Sequence, residues 1–275
     1  DYPANVYPWL ALERQGVKPV LLETASIGEI TAESVEAALT KRTKLVALAS
    51  ANYCSGYRID LEAIGSLCAE RGVLFCVDAI QTLGAFSAAL PHIDFLSAGA
   101  QKWLLGPSGA GILYLKKDRS ELLRPPILGG WNVVSPNFIA QREVKFETGG
   151  RKFEPGAYTH SVLAGLRAAV ELLLEAGPKE ISNRIRTLNQ SLWDQLEPAG
   201  FELLSPNGEK NRCGILTFRH PRVSSETLWE AAEKNDIVIS LRFDRANQSW
   251  LRISPHFYNT EAEMQKIADV LSHQL

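Results

Sequence analysis

The feature that most constrains this chain is the alternation of short apolar runs with amphipathic stretches over its first two-thirds. The apolar runs have the length of strands and cover residues 19–23, 44–50, 73–79, 94–99 and 111–117. Continuous apolar strands separated by helices are typical of a mainly parallel sheet with helices on both faces. The pattern therefore predicts an α/β fold.

Capping signals mark two of the helices between these strands. Thr31 is placed to cap a helix in which apolar side chains recur at helical spacing. Asp60 is placed to cap a second helix, and Gly72 is placed to end it.

The pattern changes after Gly156. A long apolar helix is predicted over residues 161–176, and Pro178 opens another that runs to about residue 196. Strands over 213–219, 237–242 and 249–255 then alternate with helices over 224–235 and 260–273. We therefore predict a large domain over residues 1–176 and a small C-terminal α+β domain over residues 177–275.

Composition narrows the range of functions. The net charge is −2 and no basic run occurs, so neither nucleic acid nor an anionic membrane is expected as a partner. The four cysteines are irregularly spaced, which favours free thiols in a reducing compartment and hence a cytoplasmic location. The five histidines lack ligand spacing, so no metal site is expected.

Two residues carry the chemistry that the sequence suggests. Asp78 ends an apolar strand, and Lys102 follows the next strand, between small residues and Trp103. Taken alone, Asp78 could cap a helix and Lys102 could be a surface lysine. Together, an acid and an amine at the mouth of a sheet suit a pyridoxal-phosphate (PLP) enzyme, in which the acid keeps the ring nitrogen protonated and the amine holds the aldehyde as a Schiff base.

The motifs around these residues resemble a known family. The stretches VDAIQTLG and DFLSAGAQKWLLGPSGAGILY, together with PANVYPW, SGYRIDLEAIG, RKFEPGAYTH and WLRISPHFYNTEAE, are similar to the class V aminotransferases. That family contains fold-type I PLP enzymes, among them cysteine desulfurases, selenocysteine lyases and isopenicillin N epimerase. The resemblance implies the same fold and PLP as the cofactor.

The resemblance also implies roles for individual residues. Lys102 matches the lysine that binds PLP, Asp78 the aspartate paired with the pyridine nitrogen, and Gln81 the glutamine near the ring hydroxyl. Arg252 matches the arginine that grips the carboxylate of the amino-acid substrate. Arg151 and the FEPG segment match a signature that approaches the active site of a partner subunit, which implies a homodimer.

Four positions depart from the family pattern or fit it loosely. Gln101 stands where a histidine is usual before the lysine, and Ala157 replaces a common threonine. Tyr2 falls where many members have a histidine stacked on the cofactor ring. Asn52 falls at or beside the amide residue that often lies over the cofactor.

A further departure concerns the nucleophilic cysteine that desulfurases of this family carry shortly before the carboxylate-binding arginine. The corresponding segment here reads SLRFDRANQSWLR and has no cysteine, and Cys213 lies earlier in a strand-like segment. We therefore expect an enzyme that is not a persulfide-forming cysteine desulfurase.

The resemblance leaves the reaction open. We expect an aminotransferase-like enzyme, with a carbon–sulfur β-lyase or an epimerase as the alternative within the family. A degenerate, non-catalytic scaffold or binding protein is the alternative outside it. Family members also carry a phosphate-cradling loop ahead of PANVYPW, so we expect the chain to be a fragment that binds PLP weakly by itself.

Overall fold

The computed structural model describes residues 1–275, and two four-stranded sheets organise it. The first sheet contains, in spatial order, β1 (Leu45–Ala49), β2 (Leu74–Asp78), β3 (Phe95–Gly99) and β4 (Gly111–Leu115). β1, β2 and β3 run parallel, and β4 pairs antiparallel with β3. The predicted α/β class with a mainly parallel sheet is confirmed.

Three helices belong to the first part of the chain: α1 (Tyr7–Leu10), α2 (Ala32–Ala38) and α3 (Leu61–Glu70). Both capping predictions are confirmed. Thr31 forms a capping box with Ser34, and the Asp60 carboxylate accepts a hydrogen bond from the Ala63 amide at 3.1 Å. Gly72 follows the end of α3 with a φ of +64°, a conformation that favours glycine.

The second part of the chain forms an antiparallel sheet and four longer helices. The sheet has the order β5 (Glu202–Leu203), β6 (Leu216–Arg219), β8 (Ser249–Ile253) and β7 (Ser240–Phe243). The helices are α4 (His160–Ala176), α5 (Pro178–Leu196), α6 (Ser225–Lys234) and α7 (Glu261–Ser272). Short 3₁₀ helices cover Pro3–Asn5, Ala11–Gln15, Leu90–His92, Lys117–Leu122, Pro136–Phe138 and Gly149–Phe153.

The two faces of this second sheet have different partners. Phe218 and Leu251 pair across β6 and β8 and pack into a core with residues of α5, α6 and α7. Thr217 and Arg252 also pair across these strands but lie on the opposite face, because side chains alternate along a strand. The Thr217 hydroxyl donates a hydrogen bond to the backbone carbonyl of Cys54, so this face meets the loop after β1.

The strand predicted over residues 19–23 is wrong. Residues 17–24 have no regular structure, and Val20 and Leu21 are more than half exposed. β1 is an edge strand that pairs only with β2, and the segment does not pair with its free edge. Its apolar side chains mimic a strand without the pairing that makes one.

The predicted division at residues 176 and 177 stays a prediction. α5 begins just after it, yet Ile181 and Ile185 of α5 pack in one buried cluster with Trp103 and Leu104. The rest of α5 packs into the core of the second sheet. No helix combines the length and apolar character needed to span a bilayer, and all four cysteines carry free thiols.

Candidate active site

Asp78 lies at the carboxyl end of β2, where parallel strands direct polar groups into a crevice. Its half-buried carboxylate accepts one hydrogen bond, from the Ile80 amide at 3.0 Å. Burial raises the pKa of Asp78, while this hydrogen bond and the charge of Lys102 act in the opposite direction. The hydrogen bond and the charge of Lys102 therefore do not fully offset the cost of burying the ionised carboxylate, and we call such a group under-compensated.

Lys102 lies in the turn that joins β3 to β4, near the same end of the sheet. Its Nζ is 5.7 Å from the centre of the Tyr2 ring. Burial is the main cause that lowers its pKa, the charge of Arg252 adds to it, and Asp78 opposes both. A lower pKa leaves more of the amine unprotonated and nucleophilic at neutral pH.

The backbone beside Lys102 is held by a residue from the second part of the chain, His256. Trp103 is buried, and its carbonyl oxygen lies 3.1 Å from Nε2 of His256. The two rings also pack at 5.3 Å. Gly214 leaves room for Trp103, since a Cβ there would lie 2.1 Å from the indole. The Phe257 amide donates a hydrogen bond to Nδ1 of His256, so Nδ1 is the acceptor and carries no proton. The proton of the neutral ring is therefore on Nε2, which donates to the Trp103 carbonyl.

Arg252 reaches the crevice from β8. Its Nη1 donates a hydrogen bond to the Tyr53 carbonyl at 2.6 Å, and the Tyr53 ring lies 5.4 Å from that of Tyr2. Its buried Nε has no partner. Burial, followed by repulsion from Arg242, lowers the pKa of Arg252 to about 10. The guanidinium thus retains unused donors suited to a carboxylate.

Three further predicted residues occupy different settings. Gln81 is buried in the turn that follows β2 and Asp78. The side-chain oxygen of Asn52 accepts hydrogen bonds from the backbone amides of Cys54 and Ser55 at 2.9 and 3.0 Å. Asn52 therefore stabilises the loop after β1. Gln101 is exposed and folds back over Gly99. Their roles toward a cofactor stay predictions.

Arg151 and Ala157 lie apart from this group. Both are exposed, Arg151 on the short helix Gly149–Phe153 and Ala157 on the segment that precedes α4. The structure places no contact between them and the crevice of this chain. Their predicted position beside a partner subunit stays a prediction.

Sequence reasoning missed two residues of the crevice, His256 and Arg242. His256 lies four residues after Arg252 in the segment WLRISPHFYNTEAE, and nothing in that sequence distinguishes it from a histidine of the core. Arg242 ends a predicted strand, and its charge lowers the pKa of both Lys102 and Arg252. Only the strand register, which aligns Arg242 with Trp250, places it on the face of Arg252.

The residues present fit PLP. A half-buried acid with a raised pKa can share a proton with a ring nitrogen, a half-buried amine with a lowered pKa can bond an aldehyde, and the Tyr2 ring offers an aromatic face. The unpartnered Nε of Arg252 supplies a site for a carboxylate. Fold and site together define a PLP-dependent enzyme of fold type I.

The chain belongs to the aminotransferase class-V family, whose model matches residues 1–267. A probable cysteine desulfurase from Borreliella burgdorferi is 28% identical and covers 96% of this chain and 66% of its own length. The uncharacterised aminotransferase YcbU from Bacillus subtilis is 26% identical, with 99% and 70% covered. The family assignment and the PLP cofactor predicted from the sequence are confirmed.

Solved structures share the fold. The apo cysteine desulfurase from Thermococcus onnurineus has a TM-score of 0.90 at 22% identity and covers 100% of this chain and 70% of its own. A C-DES mutant with glycine covalently linked to its PLP cofactor has a TM-score of 0.88 at 21% identity, with 99% and 72% covered. The chain thus spans about 66 to 72% of these relatives.

The exclusion of a persulfide-forming cysteine desulfurase is wrong. Proteins named probable cysteine desulfurase match 96 to 98% of this chain at 23 to 28% identity. The exclusion treated one loop thiol as the mark of the activity. The absence of a cysteine from the loop between β7 and β8 therefore does not exclude the activity.

Proposed function

We propose that this protein is a PLP-dependent enzyme that cleaves the carbon–sulfur bond of a sulfur-bearing α-amino acid. The observation that carries the proposal is the crevice itself. Its half-buried amine and acid lack ion-pair partners, and Arg252 faces it with an unpartnered Nε. Such under-compensated groups are retained where a ligand supplies the missing partners.

Each residue then has a defined task. Arg252 binds the substrate carboxylate with its free donors, while its bond to the Tyr53 carbonyl fixes the direction of the guanidinium. Lys102 would hold the aldehyde of PLP, and its amine, when free, would accept the α-proton of the substrate. Asp78 keeps the proton on the ring nitrogen. PLP, when bound, withdraws electrons from the α-carbon of the substrate.

The lowered pKa of Lys102 suits the second task. Burial and the charge of Arg252 both favour the neutral amine, which is the form that accepts a proton. Nζ lies 5.7 Å from the centre of the Tyr2 ring and forms no ion pair with a carboxylate. His256 restrains the carbonyl of the next residue, Trp103, and so limits the positions the Lys102 backbone can take.

Support for carbon–sulfur cleavage comes from the relatives. Probable cysteine desulfurases align over almost the whole chain. Cleavage can end in two ways with balanced atoms. Transfer of the sulfur to an acceptor thiol leaves alanine and a persulfide, whereas β-elimination with water gives pyruvate, ammonia and hydrogen sulfide from cysteine.

The test is product analysis of the PLP-loaded protein with L-cysteine and dithiothreitol. We expect sulfide to form together with either alanine or pyruvate, and the organic product distinguishes the two outcomes. The K102A variant and K117A, an exposed lysine outside the crevice, form the matched pair. The proposal fails if the wild type releases no sulfide from L-cysteine or from L-cystine.

Transamination is the second candidate. The family name and the 26% identity to the aminotransferase YcbU favour it. In that reaction Lys102 would move the α-proton of the substrate, the cofactor would keep the amino group, and the substrate would leave as an α-keto acid. Formation of a keto acid that retains the substrate side chain, without sulfide, would favour transamination over carbon–sulfur cleavage.

We further propose that the protein works as a homodimer in the cytoplasm. The exposed Arg151 and the neighbouring FEPG segment are available to a second copy, and the free thiols suit a reducing compartment. Light scattering during gel filtration tests the first point. A monomer with full activity would contradict it.

A further inference from the structure

In the sheet formed by β5 to β8, the face that meets the crevice carries three arginines. Thr217, Arg252 and Ser240 form one row across β6, β8 and β7. Arg242 lies two residues beyond Ser240 on β7 and therefore shares its face. Arg219 lies two residues beyond Thr217 on β6 and belongs to the same face.

These arginines differ in how their charge is compensated. Arg219 donates to the Glu202 carboxylate at 2.6 Å and stacks over the Trp250 ring at 4.9 Å. Arg242 has no ion pair, and its Nε is buried without a hydrogen bond. The Nε of Arg252 is in the same state. Neither of these two neighbouring guanidinium groups therefore has an anionic partner.

The next carboxylate along the chain, that of Asp244, is engaged elsewhere. Asp244 lies two residues after Arg242, but it accepts hydrogen bonds from the Trp250 indole at 3.1 Å and from the amides of Ala246 and Gln248 at 2.9 Å each. These bonds direct the carboxylate into its own turn. An additional anion must come from outside the chain.

The spacing of the two arginines suits a ligand with two anionic groups. On one face of a sheet, diagonal neighbours on adjacent strands have their Cα atoms about 7–8 Å apart, within reach of long side chains. Repulsion between the two groups is visible in the pKa of Arg252, which the charge of Arg242 helps to lower. An anion bound to Arg242 would relieve that repulsion while the substrate carboxylate occupies Arg252.

We propose that Arg242 is a specificity-determining residue that binds an anionic group on the side chain of the amino-acid substrate, while Arg252 binds its α-carboxylate. The inference rests on the proposed function for the role of Arg252. It narrows the sulfur-bearing substrates to amino acids whose side chain also carries an anionic group, such as a carboxylate beyond the sulfur.

Two non-reacting ligands test this inference on the PLP-loaded chain by calorimetry. Succinate has two carboxylates, and succinamate has the same shape with one of them replaced by a neutral amide. We expect the wild type to prefer succinate. R242Q should weaken succinate binding by about 10- to 100-fold, the scale of a lost charged hydrogen bond, and leave succinamate binding within about twofold.

R219Q is the matched control, since it removes an arginine from the same face that already has a carboxylate partner, and it should leave the preference for succinate unchanged. R242K, which keeps the charge but loses the planar fork, should show an intermediate loss and covers the case in which R242Q fails to fold. Equal binding of both ligands by the wild type, or equal weakening of both by R242Q, would overturn the inference.

Binding of these ligands does not depend on which bond the enzyme breaks. If L-cysteine yields no sulfide but the succinate preference depends on Arg242, the proposed reaction fails and the specificity assignment stands. If sulfide forms but the preference is absent, the assignment of Arg242 fails alone.

Discussion

At the two ends of the sheet formed by β1 to β4, the acidic residues differ in how well hydrogen bonds and cations compensate their charge. At the amino end of β3, Asp94 accepts hydrogen bonds from the Phe75 amide and from Nε of Arg119, both at 2.9 Å. At the carboxyl end of β2, Asp78 has one amide donor and no cation within ion-pair distance. The first acid is satisfied by the fold, and the second is not.

This difference separates structure from function within one sheet. A buried acid that the fold compensates holds elements together, here β2, β3 and the 3₁₀ helix after β4. A half-buried acid or amine that the fold leaves under-compensated costs stability unless a ligand completes it. The carboxyl end of the sheet has both, in Asp78 and Lys102, and the predictions below test this contrast.

The largest expected effect follows from removing the amine. K102A should lower turnover by at least about 10⁴-fold, the scale seen when an enzyme loses its nucleophile. The fold should be retained, because the Lys102 side chain makes no hydrogen bond or ion pair with the rest of the chain. Steady-state kinetics and circular dichroism measure the two properties. Activity within tenfold of the wild type would contradict the role of Lys102.

The two acids provide the second test. D78N should lower kcat by about 10²- to 10⁴-fold, because an amide cannot hold the proton on the ring nitrogen. D94N should leave kcat nearly unchanged, since its partners lie at the other end of the sheet. Equal losses of kcat in the two variants would remove the distinction between the two ends.

Substitution of Arg252 should act on substrate binding. R252Q should raise KM by about 10- to 100-fold, the scale of hydrogen bonds to charged groups, with a smaller change in kcat. The comparison variant is R219Q, whose arginine is already paired with Glu202. A loss confined to kcat would assign Arg252 to another task.

The variant that loses activity, D78N, should gain stability, and the variant that keeps activity, D94N, should lose stability. In the PLP-free protein, D94N should lower the free energy of unfolding by about 1–3 kcal/mol through loss of the charged bond to Arg119. D78N should raise it at pH 7, because the raised pKa of Asp78 shows that its ionised form is disfavoured in the folded state. Urea denaturation gives both values. A destabilised D78N would contradict the view of an under-compensated site.

The smallest effect concerns pH. The folded-state pKa of Lys102 lies below its ordinary value of 10.5, so the unfolded chain binds more protons between the two values. Lys102 therefore makes the PLP-free protein more stable as pH rises through that window. K102M should be more stable than the wild type at neutral pH, and the difference should shrink toward pH 10.5. A constant difference across this range would contradict the shift.

The sequence predicted the parts of this molecule that depend on local patterns. Asp78 and Lys102 could be found because each follows an apolar strand, and the carboxyl ends of such strands meet at one edge. The capping residues Thr31 and Asp60 were equally local. The roles of the predicted site residues toward PLP stay predictions.

What the sequence could not give depends on pairing between distant segments. The strand predicted over residues 19–23 has the right composition but pairs with no other strand. Arg242 and Arg219 look alike in the sequence, and only the register and the salt bridge to Glu202 tell them apart. The mistaken exclusion of desulfurase activity has the same origin, since a single loop was read without the crevice around it.

The most direct test of the account is to find which lysine bonds PLP. The protein is loaded with PLP, treated with borohydride to make the bond permanent, digested, and mapped by mass spectrometry. We expect the phosphopyridoxyl group on the peptide that contains Lys102, and no label at any site in K102A. A label on another lysine, or an equal label in K102A, would contradict the assignment of the active site to the carboxyl ends of β2 and β3.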